Sequence, residues 1–157
     1  MKFPLVRLDN RLLHGIILVH LAGRASAQRV MVIDDKTAND EFLKSAMLLA
    51  KPPGMAASVI TLDTALTNMK AGKYEDQSIL LIVRDPRVIL ALVENGIEIP
   101  ALMVGGTDTA AGHKLGHCAY ATDEELEVYK KISAAGVRVY MQYNPQYPEI
   151  EFDSLTF

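Results

Sequence analysis

Short apolar runs recur along the whole chain. Residues 3–6, 29–33, 58–62, 79–83, 101–104 and 137–141 are each only a few positions long and rich in Val, Ile, Leu and Met. Unbroken runs of this kind fit strands buried on both faces of a parallel sheet. Segments with helical spacing lie between them, over 15–21, 39–50, 63–70, 87–95 and 123–135. Asn39 or Asp40 can cap the second of these. Phe42, Ala46 and Leu49, with Leu43, Met47 and Ala50, then form its inward face. Thr122 opens the last in a Thr-x-x-Glu box with Glu125, and Gly136 stops it. Leu126, Tyr129 and Ile132 make the apolar face of that helix. The alternation predicts a doubly wound α/β fold, a mostly parallel sheet with helices on both faces and right-handed crossovers. Pro52-Pro53-Gly54 and Asp85-Pro86 break elements, not domains, so residues 1–157 read as one domain. The stretch 144–157, with Pro145, Tyr147, Pro148, Phe152 and Phe157, reads either as an ordered surface arm or as a disordered end.

Composition narrows the function classes. The chain has 157 residues, half of them hydrophobic, enough for one buried core. A net charge of −3 gives no electrostatic reason to expect nucleic acid or an anionic membrane as partner. Cys118 is the one cysteine, so no intramolecular disulfide forms, which fits a reducing cytoplasm. The N-terminus lacks the basic region and small-residue cleavage site of a signal peptide. The longest apolar runs fall short of the ~20 residues that span a bilayer. There is no Trp, which removes one common ring for stacking on sugars.

The densest chemistry lies in Leu5-Val6-Arg7-Leu8-Asp9-Asn10-Arg11-Leu12-Leu13-His14-Gly15. It begins as an apolar strand and ends as an apolar helix. Its polar residues are expected on a βα loop at the carboxyl end of a strand, where open α/β sheets hold ligands. A helix starting near His14 aims unpaired N–H groups and a positive dipole end at the same point. Guanidinium forks match phosphate oxygens, and an imidazole with an ordinary pKa near ~6.5 is a nucleophile at neutral pH. The same residues also fit a helix-capping His beside a surface ion pair worth roughly 0–1 kcal/mol.

Other positions carry weaker signals. Gly105-Gly106-Thr107 follows a strand and allows close approach of backbone N–H groups to an anion, or is an ordinary turn. Arg84 follows another strand and either adds charge to the pocket or sits in an exposed turn. Asp34 and Asp35 suit a cation or a solvated turn. His113-x-x-x-His117-Cys118 has zinc-like residue types, but Gly112 and Gly116 argue against the helix that would align them. No metal site and no Gly-rich nucleotide motif is read. His20, six residues after His14, is about 240° round a helix from it and is not expected to converge with it.

Arg7-x-Asp9-x-Arg11-Leu12-x-His14-Gly15 resembles the opening of IIB components of the bacterial phosphoenolpyruvate-dependent sugar phosphotransferase system, mannose/fructose/sorbose family. Lys51-Pro52-Pro53-Gly54, Val104-Gly105-Gly106 and Ala135-Gly136-Val137 resemble further family features in the same order. The resemblance implies a cytoplasmic phosphocarrier working beside the membrane. His14 would accept a phosphoryl group on Nδ1 from a phosphorylated IIA protein or domain and pass it to a sugar held by a IIC/IID permease. Arg11 would hold phosphate oxygens, Arg7 would instead point into the scaffold because residues alternate sides along a strand, Asp9 would orient His14 or Arg11, and Gly15, Gly105 and Gly106 would close the anion pocket. No cofactor is implied, and a homo-oligomer is left open. The family usually has Gln directly after His-Gly and Trp a few residues later, and Ile16 and His20 stand there. A divergent binding or regulatory module with the same fold is the alternative, and a phosphate-ester enzyme a third.

Overall fold

The computed structural model describes residues 1–108 and 112–157, and of residues 16–19 the backbone only. Chain order is β1 (Lys2–Asp9), α1 (Gly15–Ala25), β2 (Arg29–Ile33), α2 (Asp35–Ala38), α3 (Glu41–Leu49), β3 (Ala56–Ile60), α4 (Leu62–Lys70), β4 (Ser78–Val83), α5 (Pro86–Glu94) and β5 (Ala101–Gly106). A small antiparallel hairpin follows, β6 (His113–Gly116) with β7 (Ala119–Ala121). The chain ends with α6 (Asp123–Ala134), β8 (Arg138–Met141), β9 (Ile150–Glu151) and a 3-10 turn over Phe152–Ser154.

The main sheet has seven strands in the order β3-β2-β4-β1-β5-β8-β9, all pairs parallel except β8 with β9. Helices cover both faces, as the alternating pattern predicts. Leu12, Leu13 and Ala22 pack with Met47 and Leu48 of α3 on Val30, Val32, Leu80 and Ile82. Residues from α4, α5 and α6 pack on the other face, on Leu8, Ile33, Leu81, Val83 and Val104. Chain leaving β1 enters α1 on the first face, whereas chain leaving the neighbouring β4 enters α5 on the second. The carboxyl end of β1 is therefore a topological switch point, the place where open sheets leave a crevice.

Local chemistry fixes the helix starts. Asp34, Asp40, Thr61, Asp85 and Thr122 each accept a backbone N–H at the first turn of α2, α3, α4, α5 and α6. The Thr122–Glu125 capping box is complete, as expected from sequence.

Three expectations are corrected. Phe42, Ala46 and Leu49 do not face inward: all three are exposed, Phe42 and Leu49 at 81% and 87%, while Met47 and Ala50 of the expected face make the contact together with Leu48. Apolar residues run nearly all round α3, so spacing alone selects no face. The third strand spans Ala56–Ile60, and Leu62 already begins α4 behind the Thr61 cap. Strand β1 is longer than the apolar run 3–6 and includes Arg7 and Asp9, because Arg7 and Asp9 neutralise each other inside the sheet edge. The 144–157 stretch is an ordered arm. It pairs β9 with β8 and buries Phe152 against Tyr129.

Candidate functional site

The site is built on Asp9, the last residue of β1 and 1% exposed. Its Oδ2 accepts from Arg7 Nε (3.2 Å) and Nη2 (3.1 Å). Its Oδ1 accepts the backbone N–H of Arg11 (3.0 Å), and the Arg11 Nε lies 3.6 Å away. The turn from Asp9 to His14 is held by Leu12 N–H donating to Asp9 O (3.0 Å). Leu12 takes a left-handed φ of 55°, a local strain held in place by burial of Leu12 and Leu13. This turn leaves Arg11 about half exposed and sets His14 at the N-cap of α1.

Arg7 is not a loop residue. It is 2% exposed and ties three segments together. Besides Asp9 it donates to Gln142 O (3.1 Å) and Tyr143 O (2.7 Å), the chain just beyond β8. Burial pulls its pKa down, and the Asp9 carboxylate pulls it back. Gly105 is what admits this guanidinium. A Cβ at Gly105 would lie 2.0 Å from Arg7 Nη2 and 2.1 Å from Cζ. Arg7 cannot swing aside, because its donors are already held by Asp9 and two main-chain carbonyls. Gly105→Ala is therefore expected to lower stability by about 3 kcal/mol, through overpacking and a displaced buried charge. Gly15→Ala is the control, since a Cβ there meets nothing, and should stay within about 0.5 kcal/mol. Urea melts of the two variants separate the cases.

His14 Nε2 is buried and lies 3.3 Å from Asp9 Oδ2. Burial lowers the imidazole pKa below its ordinary 6.5, Asp9 draws it partly back, and Arg11 and Arg7 push it down again. The ring is therefore neutral at pH 7.

A cleft of about 420 Å³ opens beside His14. It is lined by Arg11 and His14, by His20, Leu21 and Arg24 of α1, and by residues 143–146. No carboxylate is among these lining residues. The N-terminus of α1, with no acidic residue in its first turn, adds its positive end at His14.

Several sequence readings change here. Gly105 and Gly106 end β5 instead of forming a loop, and neither lines the cleft. Gly105 makes room for Arg7. Gly106 O accepts the Asn10 N–H (3.1 Å), which anchors the turn after Asp9. His20 lines the same cleft as His14. The angular argument fails because His14 is the extended N-cap residue (φ −138°, ψ 147°), not part of the helix. Whether the Ile16 side chain is exposed lies outside the described residues. Arg84 turns away from the site and donates to Asp34 Oδ2 (2.9 Å) and Thr37 Oγ1 (3.2 Å). Asp35 Oδ1 accepts the Leu62 N–H (2.8 Å), so both carboxylates of that turn hold loops. His113 pairs with Asp123 (2.7 Å) while His117 stacks on Tyr147, so the two histidines serve different contacts. Arg24 and the 143–146 wall were not singled out by sequence. One signal was available: a loop following a parallel strand at 137–141 must lie at the same sheet edge as His14.

Fold and site together define an open α/β protein with a basic cleft at its switch point. Residues 3–155 match the family described as the PTS system sorbose subfamily IIB component, and the chain belongs to that family. It is thus a IIB-type phosphotransferase component of sugar uptake. It is 32% identical over 143 residues to the N-acetylgalactosamine-specific phosphotransferase enzyme IIB component 1 of Escherichia coli K12, covering 90% of each chain. It is 29% identical over 140 residues to the mannose-specific EIIAB component of the same strain, covering 88% of this chain and 43% of that one. The crystal structure of the IIBSor domain of the sorbose permease from Klebsiella pneumoniae superposes with a TM-score of 0.89 at 26% identity, covering 96% of this chain and 93% of that one.

Proposed function

We propose that His14 is the phosphocarrier residue of this chain. Its Nδ1 attacks the phosphoryl group of a phosphohistidine on a IIA protein or domain. The donor's P–N bond breaks as the new one forms on His14. The group then passes to a hydroxyl of a sugar held by a IIC/IID permease, with P–N exchanged for P–O. The observation that carries this reading is the ring's setting. Nε2 is buried toward Asp9, which leaves Nδ1 as the nitrogen for the cleft, and the low pKa keeps its lone pair free. Arg11 holds phosphoryl oxygens, and Asp9 orients the ring. The bare α1 N-terminus at Gly15 accepts the anion, while Gly105 and Gly106 act only indirectly, by admitting Arg7 and anchoring the turn after Asp9. Catalysis of this kind is positioning and charge stabilisation around a loosely bonded phosphoryl in flight. The IIA partner is supported by the mannose-specific relative, whose name joins IIA and IIB. The reading takes residues 1–157 as one phosphocarrier domain that works in the cytoplasm beside the permease. Among the described residues no helix is long and apolar enough to cross a membrane.

Incubation with labelled phosphoenolpyruvate, the general carrier proteins and a IIA donor tests it. Acid-labile, alkali-stable label on the peptide containing His14 is expected, and label mapping to His113 or His117 instead would sink the assignment. The pH dependence has a definite sign. Because folding lowers the His14 pKa, the unfolded chain binds more protons in the window just below 6.5. His14 thus favours the fold fully above 6.5, and that contribution declines as pH falls through the window. Phosphoryl acceptance should likewise hold through pH 6.5 and fail only below it, as seen in a rate profile between pH 5 and 8.

A further inference from the structure

Helix α3 carries Phe42, Leu43, Ala46, Met47, Leu48 and Leu49 within nine residues. A helix apolar nearly all round is normally covered on every side. The fold covers only one side of this one. Met47 and Leu48 pack on the sheet, while Phe42, Ala46 and Leu49 are exposed. At about 100° per residue, those three fall within about 60° of arc, on the side turned away from Met47 and Leu48. Single apolar residues scattered over a surface are ordinary, but these form one stripe. Phe42 and Leu49 are two of the three large apolar side chains left exposed among the described residues.

The stripe itself selects its occupant. Phe42, Ala46 and Leu49 follow one another at spacings of four and three residues, the spacing along which two helices interlock. Ala46, the small residue in the middle, lets a second helix come close. The ends of α3 carry opposite charge. Asp40 and Glu41 stand at its start and Lys51 just past its end. Glu41 and Lys51 are exposed, and neither is in an ion pair among the described residues. Lys51 Nζ donates to the Met55 carbonyl (3.1 Å) at the surface. A second α3 laid antiparallel on the first sets Glu41 against Lys51 at both ends and opposes the two helix dipoles. A parallel one would set acid against acid. The antiparallel pairing also places Phe42 against Leu49 twice, with Ala46 beside the two-fold axis. Such a self-complementary contact closes at two copies.

We infer that the outward face of α3 is a contact between two copies of this chain, made by antiparallel α3 helices with Phe42 on Leu49 and Glu41 by Lys51 in both directions. The inference does not depend on the phosphocarrier reading, since none of these residues lines the His14 cleft. One short helix from each copy is a small contact, below the roughly 1,200 Å² at which stable interfaces begin, so the association is weak and follows concentration.

Sedimentation velocity of the whole chain, from micromolar to millimolar concentration, tests it. The chain is expected to shift from monomer toward dimer as concentration rises. Phe42→Glu and Leu49→Glu should each weaken association about tenfold or more, because each puts a charge where an apolar anchor sits. Both positions are exposed, so the variants should melt with the parent. Glu41→Lys and Lys51→Glu should each weaken association, and the two together should restore most of it. In a Cys118→Ser background, Ala46→Cys chains should join in pairs on oxidation, which requires Cα atoms within about 7 Å. A chain that stays monomeric over the whole range overturns the inference. So does a dimer that Phe42→Glu and Leu49→Glu leave intact. Double charge reversal no better than either single reversal rules out the antiparallel pairing and overturns it too. If Phe42→Glu leaves sedimentation unchanged but slows sugar phosphorylation by permease-containing membranes, the face docks on a membrane partner and the inference falls.

Discussion

His14→Ala abolishes acid-labile phosphate uptake, and Arg11→Lys reduces it about a hundredfold, in the expected outcome of a labelling time course. The first loss is complete because no second imidazole shares the support that Asp9 gives His14. His20 lines the same cleft but is exposed and has no carboxylate partner among the described residues. The second loss is partial because a Lys keeps a charge but not a fork. Arg11 is anchored twice at Asp9, through its backbone N–H and its Nε, which aims the guanidinium into the cleft. An ammonium on a flexible stem keeps neither the aim nor the paired donors, and misplacement of about 1 Å at a reacting group is enough for a hundredfold loss. Neither residue belongs to an apolar core cluster, so both variants should melt close to the parent. Uptake by His14→Ala at the parent rate would show that another residue carries the phosphate.

Asp9→Ala should lower stability by about 3 kcal/mol, because it strands the buried Arg7 guanidinium. For a domain of this size that is a fall in melting temperature of roughly 6–12 °C. The two carbonyls of the 142–143 segment still accept from Arg7, which places the loss at the lower end for a broken buried pair. Asp9→Asn should fare little better, although it keeps the shape. Oδ1 receives the Arg11 N–H, and Oδ2 receives Arg7 and faces His14. An amide offers one acceptor and one donor, so an N–H must point at another donor whichever way it is turned. Removing the carboxylate also takes away the influence that raises the His14 pKa, so the ring stays neutral in the variant. A loss of phosphotransfer in Asp9→Asn is then a loss of ring orientation. A rate profile distinguishes the two explanations. If transfer by Asp9→Asn recovers at high pH, protonation and not orientation was at fault, and the role given to Asp9 is wrong.

The alternation of apolar runs and helical spacings was enough to specify a parallel α/β sheet, because a strand buried on both faces needs an unbroken apolar run. Capping residues marked helix starts to within a residue or two, as at Asp40 and Thr122, because a cap is a local hydrogen bond made within three residues. The Arg-Asp-Arg-His cluster was legible as a site for the same reason, all its members lying within one strand and the turn that follows. Sequence could not choose the buried face of α3, where apolar residues run all round. It also could not say that Gly105 serves Arg7. Those two residues are far apart in the chain and meet only because β5 is laid beside β1.

What the sequence determined by itself is therefore local: which stretches form the parallel strands and the longer helices, where helices start, and which short segment carries the chemistry; the β6–β7 hairpin, β9 and the single turn α2 were not read from it. The tertiary structure alone decided the surroundings of that segment. Strand order brought β5 and the chain after β8 alongside β1. It thereby made the buried Arg7 the brace between Asp9 and the wall of the cleft. It also brought Tyr143 to Gln146 into one cleft with His20 and Arg24. Pairing of distant strands depends on how the whole sheet shares its hydrogen bonds and its two buried faces, a property that no short window of residues contains.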